Sequence, residues 1–203
     1  MINNKYIVEI CGASGVGKST FADQLTAKIE LSGNMEVERI AFADHIYQFL
    51  LERTNFSGSL SFFKSYVKKY NLDYDEVLSG IPVKVLLTLI ADVAKWATGN
   101  DNFFVDVVRQ KINDSSADII VIDDLRYDYE AELCDFIIMV AGAKADVGAL
   151  ASHSSEKGVS VAPDFVLDRN KTPVNDAINT VHKAILNDGV SKLLNELLFA
   201  SQD

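Results

Sequence analysis

The chain has 203 residues and a formal net charge of −10 at pH 7, and 48% of its residues are hydrophobic. A length of this order suits one compact domain with a sizeable core, so intrinsic disorder is excluded as the dominant state. The acidic balance also excludes a general nucleic-acid surface, which needs clustered lysine and arginine, although a small anionic ligand remains compatible with it.

Strand and helix signals alternate from the start of the chain. An apolar run predicts a first strand at residues 6–11, followed by a glycine-rich turn and a helix. A second strand is predicted at 37–42, and an irregular helical region at about 45–100 follows it. Aromatic residues at helical spacing there are interpreted as core rather than as a base-stacking surface. A helix is predicted at 103–112. One face of the helix before it carries Val83, Leu86, Leu87, Ile90, Val93 and Ala97.

The second half of the chain continues this alternation. Buried strands are predicted at 119–122 and 136–140, a mobile lid loop at about 142–161, and a short last strand at 165–167. Two closing helices are predicted, one with Val174, Ile178, Val181 and Ile185 and another with Leu193, Leu194, Leu197 and Leu198. The pattern predicts an α/β fold in one domain, 1–203, with a parallel five-stranded sheet flanked by helices and ligands at the strand carboxyl ends.

The cysteines and the lengths of the apolar runs indicate the cellular compartment. Cys11 and Cys134 show neither metal-ligand spacing nor a disulfide framework, which fits a reducing compartment, and Cys11 is expected to be a buried free thiol. No charged leader and no run of about 18 apolar residues is present. We therefore expect a cytoplasmic protein with no membrane and no nucleic-acid partner. The oligomeric state stays open, a homodimer included.

Residues 12–19 read G-A-S-G-V-G-K-S and match the phosphate-binding motif G-x-x-x-x-G-K-[ST] in full, between a predicted strand and a predicted helix. Glycines let successive N–H groups point at phosphate oxygens, a lysine bridges the β- and γ-phosphates, and a hydroxyl coordinates Mg²⁺. The alternative is a glycine-rich turn without a ligand. The motif predicts a P-loop NTPase-type fold that binds ATP and Mg²⁺. The expected contacts are Gly12, Ala13, Ser14, Gly15, Val16, Gly17, Lys18, Ser19 and Thr20.

Two acids, Asp123 and Asp124, end the apolar run at 119–122. A carboxylate at the end of such a strand can hold Mg²⁺ directly or through water. The alternative is a pair of solvated turn residues. The chain contains neither an N-K-x-D nor a D-x-x-G motif, which weighs against a GTPase, and it is short for a helicase-type ATPase. A small kinase fits best.

Five stretches, in order along the chain, resemble the phage and bacterial deoxynucleoside monophosphate kinases, a branch of the P-loop nucleoside monophosphate kinases. They are the P-loop with residues 18–22, A-F-A-D at 41–44, the helix 91–95 with G99 and F-F-V at 103–105, I-D-D-L-R-Y-D-Y-E at 122–130, and H-S-S-E at 153–156 with D-F-V-L at 164–167. The resemblance implies ATP-dependent phosphorylation of a deoxynucleoside 5′-monophosphate, with a helical acceptor-binding subregion at about 45–100 and the lid at about 142–161.

The resemblance also implies roles for individual residues. Lys18, Arg126 and Asp44 would be catalytic, and Ser19 and Asp124, preferred over Asp123, would hold the metal. Asp44 has a helix N-cap as its alternative, and Arg126 a surface pair with Glu130. The implied substrate contacts are Asp44, Asp92, Lys95, Arg126, Glu130, His153 and Glu156, the last two having an exposed lid loop as their alternative.

The chain departs from the family pattern in its cations. Lys95 stands where the family has an arginine, and the lysine of F-A-D-P-L-K is missing after Asp44. The lid region contains Lys144 and Lys157 but no arginine, and Arg169 after the last strand is the residue that would compensate. Two alternatives to a nucleotide acceptor stay open: another small-molecule phosphate kinase, such as a phosphomevalonate type, and an ATP-binding regulatory module without catalysis.

Overall fold

The computed structural model describes residues 2–33, 35–52, 57–70, 83–142 and 158–200. Five strands form one parallel sheet, namely β1 (Tyr6–Cys11), β2 (Val37–Ile40), β3 (Ile119–Ile122), β4 (Phe136–Ala141) and β5 (Phe165–Asp168). The described helices are α1 (Lys18–Leu31), α2 (Asp44–Leu51), α3 (Leu60–Tyr70), α4 (Val83–Thr98), α5 (Phe103–Asp114) and α6 (Val174–Ala200). The predicted α/β fold with a parallel five-stranded sheet is confirmed.

The strand order is β2-β3-β1-β4-β5, so β1 lies in the centre of the sheet between β3 and β4. All residues of β1 and β3 are buried, as expected for strands covered on both faces. The register pairs Glu9 of β1 with Ile122 of β3 and with Ile137 of β4. Since parallel strands end at the same edge of a sheet, the segments after β1 and β3 emerge side by side.

One face of the sheet is covered by α1 and α6. Val8 and Ile10 of β1 pack there with Phe21 and Leu25 of α1 and Val181 of α6, all of them fully or almost fully buried. Each such side chain contributes about 1.5–3 kcal/mol through removal of apolar surface from water. On the opposite face, Cys11, Leu125 and Ile137 form a smaller buried cluster.

The chain divides into two compact units, residues 1–40 with 108–203, and residues 41–107. The first contains the sheet with α1 and α6. In the second, Tyr47 and Leu50 of α2 pack with Phe63 and Val67 of α3, and Leu86, Leu87 and Ile90 of α4 pack against that cluster.

Several predicted boundaries were wrong. The second strand ends at Ile40, because residues 41–43 turn into α2. The two predicted closing helices are one helix, α6, which continues through Gly189. An interior glycine destabilises a helix by only about 1 kcal/mol relative to alanine, so packing elsewhere along α6 can compensate for this loss. The side chains of Leu193, Leu194, Leu197 and Leu198 lie outside the described set, as does Pro82.

The predicted apolar face of α4 is only partly buried. Val93 is 59% exposed and Ala97 is exposed, whereas Leu86, Leu87 and Ile90 pack inside the unit. Leu89 and Trp96 are also exposed, at 48% and 84%. Spacing alone therefore identified the helix but not the extent of its buried side.

Candidate phosphate-binding site

The glycine-rich loop connects the end of β1 to the start of α1. Gly12, Gly15 and Gly17 have φ angles of 136°, 74° and 101°, in the region that favours glycine. Gly17 is the N-cap of α1, and no side chain of the described residues caps that helix end. The N–H groups of the first helical turn have no carbonyl partner within the helix, so their partners must come from the side of the loop.

Gly12 is also required for space, and Gly17 lies against a side chain. A Cβ at Gly12 would overlap the carbonyl oxygen of Val140 in β4, and a Cβ at Gly17 would overlap the guanidinium of Arg169. The loop is thus packed directly against the ends of the neighbouring chain segments. Its conformation depends on glycine through both dihedral angle and contact.

Lys18, the first residue of α1, folds its side chain back over the loop. Its Nζ donates hydrogen bonds to the carbonyl oxygens of Gly12 at 2.8 Å and Ala13 at 2.9 Å. Ser19 follows in the first helical turn and is half-buried. An ammonium group and a hydroxyl thus stand at the end of a helix whose dipole favours anions.

The two acids after β3 have different surroundings. Asp123 is 5% exposed and forms an ion pair with Arg39 of β2, which also pairs with Asp23 of α1. Asp124 is half-buried. Sequence reasoning missed Arg39, since a single arginine in a strand carries no motif.

The loop that carries Arg126 is held by a buried carboxylate. Glu130 is 4% exposed, and its Oε2 accepts hydrogen bonds from the backbone N–H groups of Arg126 at 2.8 Å and Tyr127 at 3.0 Å. Leu125 is buried beside Cys11 and Ile137. Glu130 therefore fixes the backbone from which the Arg126 side chain extends.

Glu9 is a buried acid that sequence reasoning also missed. It is 0% exposed in the middle of β1, and neither carboxyl oxygen has a hydrogen-bond partner among the described residues. Burial, and then the charges of Glu130 and Asp124, raise the pKa of Glu9 to about 9. Glu9 is therefore protonated at neutral pH. The one sequence signal is a glutamate inside an otherwise apolar strand.

In the helical unit, Asp44 forms a half-buried ion pair. Ala43, not Asp44, is the N-cap of α2, so the N-cap interpretation of Asp44 was wrong. Its Oδ2 accepts a hydrogen bond from the N–H of Ala41 at 3.0 Å, and its Oδ1 pairs with Lys64 of α3. The Lys64 ammonium also lies 5.7 Å from the centroid of the Tyr47 ring. No motif links Lys64 to Asp44, twenty residues away.

The remaining predicted contacts are dispersed. Asp92 is exposed and Lys95 is half-buried on α4, while His153, Glu156 and most of the predicted lid lie outside the described residues. Cys11 is a buried free thiol, as expected, and burial raises its pKa. The interpretation of the aromatic residues as core holds for Phe63, which is buried and forms an edge-to-face pair with Tyr47 at 6.5 Å, whereas Phe49 and Phe62 are 42% and 56% exposed.

Within the described ranges, no three or more His, Cys, Asp or Glu side chains are grouped as a metal site. A magnesium ion on a P-loop does not need such a group, because a serine hydroxyl, one carboxylate, phosphate oxygens and water suffice. Ser19 and Asp124 are oxygen donors of the kind that Mg²⁺ prefers. No helix in the described part of the chain has the length and apolar character needed to cross a bilayer.

No protein-family model and no curated protein matches the chain. Among solved structures, one described as "Crystal structure of APE1195" is similar, with a TM-score of 0.44 and 14% sequence identity. The alignment covers 90% of this chain and 96% of that chain. A similarity of this size does not identify a family.

Proposed function

We propose that the protein is an ATP-dependent kinase whose phosphate acceptor is a deoxynucleoside 5′-monophosphate. The observation that carries the proposal is the loop after β1, where left-handed glycines, an uncapped helix start and the Lys18 ammonium come together. Such a loop binds the triphosphate tail of a nucleotide through backbone N–H groups. The specific acceptor rests on the resemblance of the sequence to deoxynucleoside monophosphate kinases.

Lys18 would exchange its present partners for phosphate. Its Nζ now satisfies the carbonyl oxygens of Gly12 and Ala13, and it would turn to the oxygens between the β- and γ-phosphates when the triphosphate binds. Stabilising the negative charge on the transferring phosphoryl group is the main contribution that a protein makes to this reaction. Because the amine already lies at the loop, only a side-chain rotation is needed.

The pairing of the acids supports Asp124 as the metal-side carboxylate. Asp123 is engaged by the Arg39 guanidinium, which neutralises its charge and holds it in place. Mg²⁺, when bound, would bridge phosphate oxygens and neutralise the charge that develops on them. Ser19 and Asp124 would hold it. We expect Asp124→Asn to weaken the Mg²⁺ dependence of turnover more than Asp123→Asn does, and the reverse order would assign the metal to Asp123.

Arg126 and Asp44 would serve the acceptor. The Glu130 carboxylate fixes the backbone of Arg126, and from that backbone the guanidinium would reach a transferring or acceptor phosphate. In the helical unit, Asp44 forms an ion pair with Lys64. Lys64 would supply the positive charge of the family lysine that this sequence lacks after Asp44. Both pairs support an anionic acceptor.

An ADP-release assay with a panel of acceptors tests this function. The panel contains the four common dNMPs, modified pyrimidine dNMPs and non-nucleotide phosphates such as phosphomevalonate, each with ATP and Mg²⁺. We expect ADP and a dNDP with at least one dNMP. Turnover only with a non-nucleotide phosphate would identify another small-molecule kinase. Binding of ATP without transfer to any acceptor would favour a regulatory module, for which the lack of arginine in the lid is the supporting feature.

A further inference from the structure

Arg169 is held in place by two hydrogen bonds that join the end of the sheet to the P-loop. Its backbone N–H donates to the carbonyl oxygen of Ala141 at 3.0 Å, directly after β5. Its Nη1 donates to the carbonyl oxygen of Val16 at 2.8 Å. The guanidinium is therefore tied through Nη1 to the backbone of the loop, while Arg169 as a whole residue is exposed.

The guanidinium lies directly against the start of α1. It occupies the space that a side chain at Gly17 would need, so a larger residue there would displace it. Gly17 is the N-cap of α1, at the end of the helix dipole that favours anions. A fixed positive charge thus stands beside the N–H groups on which a phosphate would rest.

A small cavity of about 60 Å³ lies beside this contact and is lined by Gly17, Thr20, Gln24, Leu167 and Arg169. Thr20 is in the first turn of α1, so the cavity begins where the loop ends. Among the described residues, the bond to Val16 is the one hydrogen bond of the guanidinium, which carries five N–H donors.

We infer that Arg169 binds the phosphates of the nucleotide held on the P-loop, and so provides from the end of β5 the guanidinium that the lid sequence lacks. The inference rests on the proposed function, because it needs a phosphate chain on the loop. A guanidinium can bond two phosphate oxygens at once, which a lysine does not do. Placed on a strand end, it acts without closure of a lid.

The test measures binding of Mg²⁺-tripolyphosphate and of Mg²⁺-ATP by calorimetry, to the wild type, Arg169→Gln, Arg169→Lys and Lys171→Gln. Glutamine keeps a neutral N–H donor and loses the charge, and its side chain is two bonds shorter than the path to Nη1 of arginine. Lys171, 81% exposed and paired with Asp168, is the matched control. We expect Arg169→Gln to reduce the affinity for both ligands about tenfold or more, which corresponds to the loss of one hydrogen bond to a charged group. Arg169→Lys should recover part of the loss, and Lys171→Gln should bind as the wild type does.

The outcomes separate this inference from the proposed function. Wild-type affinity of Arg169→Gln for tripolyphosphate would reduce Arg169 to a clamp on Val16 and overturn the inference, while leaving the P-loop proposal intact. Weaker binding of ATP alone would place Arg169 on the nucleoside part and overturn it too. A wild type that binds neither ligand would overturn the proposed function, and the inference with it.

Discussion

The P-loop and the helical unit hold their polar side chains in different ways. At the loop, Lys18 is bonded to carbonyl oxygens five and six residues before it, and the glycine dihedral angles set the shape. In the helical unit, Asp44 depends on Lys64 of another helix, and the apolar side chains Val93 and Trp96 remain exposed. The loop is built locally by backbone, whereas the Asp44 contact is built by side chains from separate helices. Changes at the loop should therefore affect the phosphate donor, and changes at Lys64 the acceptor and the stability of the unit.

The largest expected effect is that of Lys18→Ala. Removing the ammonium deletes charge stabilisation at the transferring phosphate, so turnover should fall by at least about 100-fold. The ADP-release assay measures it, with Lys171→Ala as the exposed control. Since Lys18 also bonds two loop carbonyls, a melting curve accompanies the assay. Full activity of the Lys18 variant would contradict the site.

Glycine substitutions sharpen the local half of the comparison. Gly17→Ala introduces both a left-handed alanine and an overlap with Arg169, whereas Gly33→Ala, at φ 80° with open space around it, introduces the strain alone. The strain costs about 1–3 kcal/mol at either position. We expect the free energy of unfolding to fall further in Gly17→Ala, by about 1 kcal/mol, the value of the displaced Arg169–Val16 hydrogen bond. ATP affinity should fall in Gly17→Ala only.

Equal losses of stability in the two alanine variants, with unchanged ATP affinity in both, would show that the contact with Gly17 does not hold Arg169 in place. The Arg169–Val16 bond would then be independent of the loop conformation.

Lys64→Met tests the half built by side chains. The change leaves the Asp44 carboxylate, 16% exposed, without its cation, and we expect a loss of about 1–3 kcal/mol in the free energy of unfolding. With a kinase activity established, the KM for the acceptor should rise while the KM for ATP stays as it is. The control is Asp44→Asn combined with Lys64→Met, in which the stranded charge is gone and stability should partly return. A raised KM for ATP instead would break the division between the two regions.

Glu9 gives the most gradual effect, a dependence on pH. Its pKa is raised by burial to about 9 in the folded protein, against about 4.5 in the unfolded chain. The folded state therefore binds the extra proton, and stability is full below pH 4.5 and falls as pH rises toward 9. The slope is at most about 1.4 kcal/mol per pH unit. Urea unfolding at pH 5 and pH 8 should show this fall in the wild type relative to Glu9→Gln. Parallel pH profiles would mean that Glu9 is not buried as a neutral acid.

What could be predicted from the sequence follows the same division. The strands and the glycine-rich turn after β1 were predictable because a run such as Ile119–Ile122 and an eight-residue motif carry their information in neighbouring residues. The ion pairs of Arg39 with Asp123 and of Lys64 with Asp44 were not, since they join residues 84 and 20 positions apart. The burial of Glu9 was not predicted, because the sequence around an isolated acid in a strand does not show whether the fold gives it a hydrogen-bond partner.

The uninterrupted helix α6 was missed for a related reason. Two separate sets of apolar residues predicted two helices, but Tyr6 of β1 bonds Asp188 and lies against Gly189, so tertiary contacts support one helix there. Local propensity is a weak signal at such positions.

The central claim is that the segment from Gly12 to Ser19 grips a triphosphate. A crystal structure with Mg²⁺ and a non-hydrolysable ATP analogue tests it most directly. The account predicts the β-phosphate within hydrogen-bond distance of the loop N–H groups, with Lys18 Nζ moved from the carbonyl oxygens of Gly12 and Ala13 onto the phosphates. An empty loop with Lys18 still on those oxygens, at saturating analogue, would contradict it.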